Sequence, residues 1–539
     1  MVEIQGTRDG LVSAEEILTT MWLKKPLPAA LIVVLLWTVW RLVFLWHTGV
    51  PQPAVHDEFS YLLGADTFAH GRLANPPHPL SKFFESPHIL VHPTYASKYP
   101  PGQALFLALG QRLFGSAFYG VLIGNALMLF TFCLMLFAWV PSRWALVVSG
   151  MFALCLGPRM YWTNSYWGGS LAASGGALVL LGVGIYRAKQ TPLAGVIFGL
   201  GVLLLFWTRP FEGGVFTLVV LTVFAEELWR NRRASVFVAA VSVLAVGGAW
   251  TCYYNQAVTG SPFRLPYLLY QRQYAVTPLF WFLPPRPEPT YSHPRLAGQS
   301  GTNGYEASVY KRVRMPWPLI ESLRTLLLPG FSVMVLLAFL VPVAWRDPLF
   351  RKMAIVVGVV LLALTAETNH QRHYGAPVWA ALALIIAVWV ERAWNLRINK
   401  QPIGIALVLL GLTPPAIVNI LPLLPVKTLP LLQQLTMSPT AWDSWSNGRA
   451  ALLARLSALD RRQLVIVRYP SPDWNILEEW VYNSADIDHQ RVVFAHDLGM
   501  EENRALLNYY SDRTALLLTF DSKSGKEQIG PYLPAPSQK

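Results

Sequence analysis

Charge is scarce in this chain. Lys, Arg, Asp and Glu make up only 14% of its 539 residues, against about 25% in soluble globular chains. Water cannot therefore be the only solvent of the folded protein. Cysteine is scarcer still: Cys133, Cys155 and Cys252 all lie in apolar runs, which excludes a disulfide framework and leaves them as small buried hydrophobes. No internal repeat of roughly 20–50 residues recurs, which excludes solenoid architectures. No cleavable leader is expected either. The first apolar run, Leu27 to Trp46, is too long for a signal core and has no small-residue cleavage site, so it reads as a retained signal-anchor helix.

What is present is apolar: 53% of residues are hydrophobic and the mean hydropathy is +0.38. The 21 Trp and 21 Tyr suit amphipathic rings seated at two membrane–water interfaces. The net charge of +13 does not point to nucleic acid, because many basic residues fall in short loops between apolar runs, where they set topology. A membrane helix needs about 20 mostly apolar residues. Runs near that length cover 27–46, 117–139, 143–161, 169–186, 191–208, 211–228, 235–254, 326–345, 352–367, 376–393 and 402–423. They predict a mainly α, polytopic membrane protein with about eleven transmembrane helices.

Alternate loops carry Lys24 and Lys25, Arg143, Arg187 and Lys189, Arg230, Arg232 and Arg233, Arg346, Arg351 and Lys352, and Arg392, Arg397 and Lys400. Positive residues stay inside, so the N-terminus is expected in the cytoplasm and the C-terminus outside. Three external regions follow. The first, 47–116, holds His56-Asp57-Glu58, a helical pattern over 57–69, the Pro-rich Lys98-Tyr99-Pro100-Pro101-Gly102 and an interfacial amphipathic helix over 103–114. The second, 255–318, has ten prolines and many tyrosines and reads as a lid or binding loop. The third is the tail, where composition turns soluble. Strand-like runs Leu464–Val467, Val492–Phe494 and Leu516–Phe520 alternate with helical patterns such as 446–458, which predicts a small extracytoplasmic α/β domain. The chain is thus divided into a membrane unit, 1–424, and a soluble unit, 425–539.

Ionisable groups at a membrane boundary are costly unless paired or useful. Asp57 and Glu58 open a helix just outside the first span. Either they act as a general base near the bilayer surface, or Asp57 is an N-cap and Glu58 a first-turn partner of the helix dipole. Lys98 sits beside rigidifying prolines that could hold its ammonium against a phosphate; the alternative is a snorkelling interfacial lysine. Arg159 and Arg209 lie at outer helix ends, against the topological bias, and arginine forks suit phosphate oxygens. Glu212 serves equally well as a structural partner of Arg209. Arg41, inside the first span, reads as snorkelling outward. Tyr166 and Trp167, in Asn164-Ser165-Tyr166-Trp167-Gly168-Gly169, offer faces for sugar stacking, and Gly175-Gly176 is explained by close helix packing. His370, Arg372, His373 and Tyr374 form an external polar cluster with no third metal ligand nearby, so headgroup contacts are favoured over zinc.

The order of these elements is specific. Asp57-Glu58-Phe59-Ser60-Tyr61, then Lys98-Tyr99-Pro100-Pro101-Gly102, then Ser165-Tyr166-Trp167-Gly168-Gly169, Arg209-Pro210-Phe211-Glu212-Gly213 and His373-Tyr374 resembles the C-type membrane glycosyltransferases. That group includes the protein O-mannosyltransferases and the lipid A aminoarabinose transferase, and the resemblance covers about residues 27–423. It implies a polyprenyl-phosphate sugar donor, catalysis by Asp57 at the acidic position of the first external loop, and a donor phosphate held by Lys98; Arg159 and Arg209 are the further candidate cations on their own residue chemistry. Tyr61, Tyr99, Tyr166, Trp167, Glu212, His370, Arg372, His373 and Tyr374 are the expected substrate-binding positions. Several members carry a second acidic residue in a later external loop. Asn164-Ser165-Tyr166-Trp167 offers none, and Glu212 or Glu367 would have to substitute. The resemblance allows a divalent metal but names no ligands for one.

The expected activity is inverting transfer of a sugar to a hydroxyl acceptor (lipid, glycan or protein) at the outer face of a bacterial inner membrane. Two other readings stay open: a flippase or transporter of lipid-linked sugars, and a non-catalytic scaffold in envelope assembly. The transporter would place its ionisable residues at the bilayer midplane and often show inverted repeats.

Overall fold

The computed structural model describes residues 25–157, 160–230, 232–313, 316–324, 332–420, 443–470 and 475–532. Its helices follow the apolar runs. Four described helices are long and apolar enough to cross a membrane by length and composition: Pro26–Thr48, Phe118–Trp139, Ser170–Lys189 and Ala234–Thr259. The first exposes Leu31, Leu35, Leu36, Val39, Leu42 and Val43, each at least 45% accessible. A continuous apolar face of this kind is stable against hydrocarbon, not water.

The remaining seven runs lie on helices of 9 to 18 residues. Length and composition therefore identify four spans among the described residues, where the sequence predicted about eleven. The shortfall lies at the C-terminal ends, with Cys155 against 161, Val223 against 228 and Leu364 against 367, while prolines mark the starts. Pro192, Pro210 and Pro348 start helices at their first position, and Pro141 and Pro377 precede the first helical residue of theirs. A 17-residue helix such as Pro348–Leu364 rises about 26 Å, short of the roughly 30 Å hydrocarbon core.

The core of the bundle is the helix Val378–Trp394, whose Trp379 and Trp389 are fully buried. It packs against the helices Ser170–Lys189, Pro348–Leu364, Ser142–Cys155 and Ile403–Ile420. Gly176 makes one of these approaches possible, and Gly175 the approach of the helix Pro192–Phe206 to Ser170–Lys189. A Cβ at Gly176 would stand 2.6 Å from the Pro377 carbonyl oxygen, and one at Gly175 would stand 2.8 Å from Leu205. Arg41 departs from the snorkelling expectation. It is fully buried, and its Nη2 donates to the Thr163 carbonyl and to Asn164 Oδ1, both at 3.0 Å. Those acceptors give the guanidinium a polar end inside the bundle, so it need not reach the interface.

Outside the bundle, the helix His56–Ala69 packs on the helix Pro101–Phe114. The latter buries Gly102, Ala104, Leu107 and Ala108 and exposes Leu109, Leu113 and Phe114. Between them, strands β1 (Ile89–Leu90) and β2 (Ala96–Ser97) form a short antiparallel pair that ends at Lys98. In the tail, β3 (Gln463–Arg468), β4 (Val492–His496), β5 (Thr514–Asp521) and β6 (Lys526–Pro531) form one sheet in the order β4-β3-β5-β6. β3 runs parallel to both neighbours, and β6 is antiparallel to β5. Each strand-like run seen in the sequence lies within one of these strands. The sheet does not close a core alone: Phe59, Leu63, Phe83 and Phe84 of the first external region join Leu464, Val465, Trp480 and Phe494 in one apolar cluster. The boundary drawn at 424 falls outside the described residues.

Candidate active site

The chain leaves the first span at Thr48 and turns into the helix His56–Ala69. Val55, not Asp57, is the N-cap, with extended backbone at φ −133° and ψ 156°. Glu58 does the capping from inside the first turn. Its Oε2 accepts from the backbone N–H of Ala54 at 2.7 Å and of Val55 at 3.2 Å, and its Oε1 accepts from the Tyr166 N–H at 2.9 Å. Both carboxylate oxygens are thus engaged. Burial pushes the Glu58 carboxyl up to about 7, against the pull of those three amides.

Freed from capping, Asp57 points elsewhere. Its Oδ1 accepts a hydrogen bond from the Tyr99 hydroxyl, and its Oδ2 lies 3.6 Å from His88 Nδ1. The Tyr99 oxygen is also 3.1 Å from His88 Nδ1. Because a carboxylate can only accept, Tyr99 gives its proton to Asp57, and His88 must donate from Nδ1 to Tyr99. Burial holds the His88 imidazole well below its ordinary pKa, helped by the Lys98 and His56 charges, so it is neutral near pH 7. Asp57 keeps 26% of its side chain accessible.

Lys98 is the next residue in that shell. It is 3% exposed, which excludes the snorkelling alternative. Its ammonium lies 5.2, 5.0 and 4.6 Å from the ring centroids of Tyr99, Tyr267 and Tyr270. No carboxylate among the described residues lies within 4.0 Å of it. Burial lowers the ammonium to about 8, with Glu306 and Asp57 pulling it back up. Three tyrosine faces stabilise a cation there without neutralising it. Tyr99 joins the two groups: its hydroxyl binds Asp57 and its ring faces Lys98.

A cavity of about 280 Å³ opens beside this cluster, lined by Tyr61, Tyr99, Arg209, Glu212, Tyr267, Glu367 and Tyr374 among others. Tyr61 stacks on Tyr99 at 4.4 Å between centroids. Arg209 lies 4.1 Å above the Tyr374 ring and 3.8 Å from Glu212 Oε1. Burial, with Glu212 close by, holds the Glu367 carboxyl well above the ordinary range, and its Oε1 has no hydrogen-bond partner among the described residues. Asp57 and Lys98 do not line the cavity; they stand behind Tyr99.

The other expected residues divide. Tyr166 turns inward, with its hydroxyl on the Pro51 carbonyl at 3.0 Å and its ring edge-on to Phe118. Trp167 and His373 pack ring to ring at 5.0 Å. His370 Nε2 donates to the Leu364 carbonyl at 2.7 Å, and Arg372 is exposed, so neither lines the cavity. Arg159 lies outside the described residues. Sequence reasoning missed His88 and the individual tyrosines Tyr267 and Tyr270. The proline- and tyrosine-rich composition of 255–318 was the one signal for the latter. Among the described residues, no group of three or more His, Cys, Asp or Glu could hold a metal ion.

No family model matches the sequence, and no curated protein matches it. Solved structures do align with it. ArnT from Cupriavidus metallidurans in the apo state is 13% identical with a TM-score of 0.48, over 91% of this chain and 93% of that one. ArnT from the same organism bound to undecaprenyl phosphate is 14% identical with a TM-score of 0.46, over 90% of this chain and 93% of that one. The Archaeoglobus fulgidus oligosaccharyltransferase in the apo form is 13% identical with a TM-score of 0.47, over 92% of this chain and 70% of that one.

Proposed function

We propose that the protein is a membrane glycosyltransferase that moves a sugar from a polyprenyl-phosphate donor to a hydroxyl acceptor, with inversion. The observation that carries this reading is the meeting at Tyr99 of an accessible carboxylate, Asp57, and a caged, unneutralised ammonium, Lys98. A lone carboxylate or a lone cation would serve many purposes. The pair beside a tyrosine-walled cavity suits a reaction that needs a base at one end and a phosphate grip at the other.

In this mechanism Asp57 takes the proton of the acceptor hydroxyl as its oxygen attacks the anomeric carbon. The bond from that carbon to the phosphate oxygen breaks, and the electron pair leaves with the polyprenyl phosphate. A phosphate is already a weak base, so it needs cationic stabilisation rather than a general acid. Lys98 and Arg209 supply it, with Arg159 as the third candidate cation. Tyr61, Tyr267 and Tyr374 give the sugar its stacking faces, and Glu212 and Glu367 accept from its hydroxyls. Glu58 positions Asp57 by fixing the start of the helix. Residues 1–424 form the transferase unit in the inner membrane of a bacterium, with the N-terminus in the cytoplasm, and 425–539 form a soluble unit outside.

The test is an assay of purified protein in lipid with a panel of polyprenyl-phosphate sugars and hydroxyl acceptors. Release of polyprenyl phosphate with equal labelling of the acceptor is the expected result. Movement of intact lipid-linked sugar across the bilayer, with no bond broken, would instead make the protein a transporter.

A further inference from the structure

A second cavity, of about 350 Å³, lies on the other side of the helix His56–Ala69. Asp57 and Tyr61 stand four positions apart on one face; Phe59, Leu63 and Asp66 occupy another and line this second space. Its far wall comes from the tail.

The side chain that defines it is Arg449, on the helix Asp443–Ser457. Arg449 is 8% exposed, with its guanidinium 4.8 Å from the Phe59 ring centroid and 5.1 Å from that of Phe494. Nε donates to the Trp480 carbonyl at 3.3 Å and Nη2 to the Tyr482 carbonyl at 2.9 Å. Among the described residues, Nη1 makes no hydrogen bond and no carboxylate comes within 4.0 Å of the group. Burial lowers the guanidinium only to about 10, so it stays charged at neutral pH. Two carbonyls fix its direction, Glu479 favours its charge from a distance without pairing with it, and an anion in the cavity would meet the guanidinium directly.

The same cavity carries Asp66, whose oxygens accept from Gln111 Nε2 at 3.0 Å and from the Ala485 N–H at 2.8 Å. Gln52 and Gln490 also line it; Gln52 Nε2 donates to the Val50 carbonyl at 3.2 Å, and Gln490 donates through Nε2 to Asn483 Oδ1 at 2.6 Å and accepts at Oε1 from the Ser484 N–H at 3.0 Å. A guanidinium in a space walled by amides and a hydrogen-bonded carboxylate matches a ligand with one negative group and several hydroxyls.

We propose that this cavity binds an anionic saccharide, with Arg449 taking its carboxylate or phosphate and Asp66, Gln52 and Gln490 its hydroxyls. The site is separate from the one assigned to transfer and stands whether or not that assignment holds.

The test is direct binding to the full chain in lipid nanodiscs, read by tryptophan fluorescence. The probes are glucuronate, a hexose phosphate, glucose and inorganic phosphate. One of the two anionic sugars is expected to bind saturably and at least about tenfold more tightly than glucose or inorganic phosphate. Which of them binds better identifies the charged group. Ala450→Glu sets a carboxylate on the cavity wall beside Arg449 and leaves both carbonyl bonds in place. It should weaken binding by about tenfold or more, as should Arg449→Gln. If Arg449→Gln fails to fold, the Ala450→Glu comparison decides. No saturable binding of either anionic sugar would overturn the proposal. So would glucose or inorganic phosphate binding as tightly, or unchanged affinity in Ala450→Glu. Because binding is read without turnover, none of these results depends on the transfer reaction.

Discussion

Lys98 is the residue whose chemistry is most exposed to experiment. Its ammonium titrates at about 8 in the folded protein, far below the ordinary lysine value, because burial disfavours the charged form. Only the protonated form grips a phosphate. The log of kcat/KM for the donor should therefore bend downward above about pH 8, with donor binding lost as pH rises further. Lys98→Arg should abolish that bend, since a guanidinium stays charged, and Lys98→Met should lose donor binding at every pH. Tyr99 gives a second outcome. Tyr99→Phe removes the hydrogen bond to Asp57 and keeps the ring that faces Lys98. A bond to a charged group is worth about 1.5–3 kcal/mol, so kcat should fall roughly 10- to 100-fold while the donor KM changes little. His88→Asn should repeat the pattern, because asparagine tolerates the φ of 68° at that position. Equal loss of kcat and donor affinity in Tyr99→Phe would mean that the hydroxyl serves packing alone. At this scale the sequence was half legible. Asp57 and Lys98 are named by the motif that carries them. His88, Tyr267 and Tyr270 become neighbours of Lys98 only when distant segments fold together, which no local pattern records. Glu58 looked like a second acid, and its backbone acceptor role depends on Tyr166, 108 residues away.

Among the elements, apolar run length located every apolar helix that the structure describes, and four of these are long and apolar enough to cross a membrane by length and composition. The shorter helices start at or near the first residue of their runs, often on a proline, and stop a few residues before the run ends. Gly175-Gly176 was legible as a packing feature because small residues have one dominant use between membrane helices. That reading has a sharp consequence. Gly176→Val would drive a Cβ to 2.6 Å from the Pro377 carbonyl, whereas Gly150 faces open space. Gly176→Val should separate the helix Ser170–Lys189 from Val378–Trp394 at a cost of about 1–3 kcal/mol, seen as lost monodisperse protein on size exclusion. Gly150→Ala should elute as the parent does. The strands of the tail were legible for a simpler reason: β-branched and aromatic runs bounded by polar turns have few other uses outside a membrane.

Across the whole molecule, parts of 47–116 and 255–318 pack together with the tail. Arg295, from 255–318, donates through Nε to Glu479 of the tail at 3.2 Å, and both are buried. Burial alone would raise the Glu479 carboxyl, but His496, Arg295, the Tyr469 hydroxyl and the Val481 N–H together hold it at about 2. Arg295→Met leaves that charge without its arginine, a loss of about 3–5 kcal/mol for a buried pair. The variant should melt earlier and expose 255–318 to protease, and adding Glu479→Leu should restore much of the stability. Since 255–318 supplies Tyr267 to the cavity and Tyr267 and Tyr270 to the Lys98 cage, this distant pair supports the site. The sequence divided the tail from the membrane unit. It could not show that Phe59, two residues after Asp57 in the first turn of the helix, is shared between the two. The central claim assigns separate tasks to Asp57 and Lys98, and one experiment separates them: donor binding and sugar transfer measured side by side in Asp57→Asn and Lys98→Met, both reconstituted in lipid. The account predicts that Asp57→Asn binds the polyprenyl-phosphate sugar like the parent and transfers almost none, while Lys98→Met fails to bind it. Parental transfer by Asp57→Asn would contradict it.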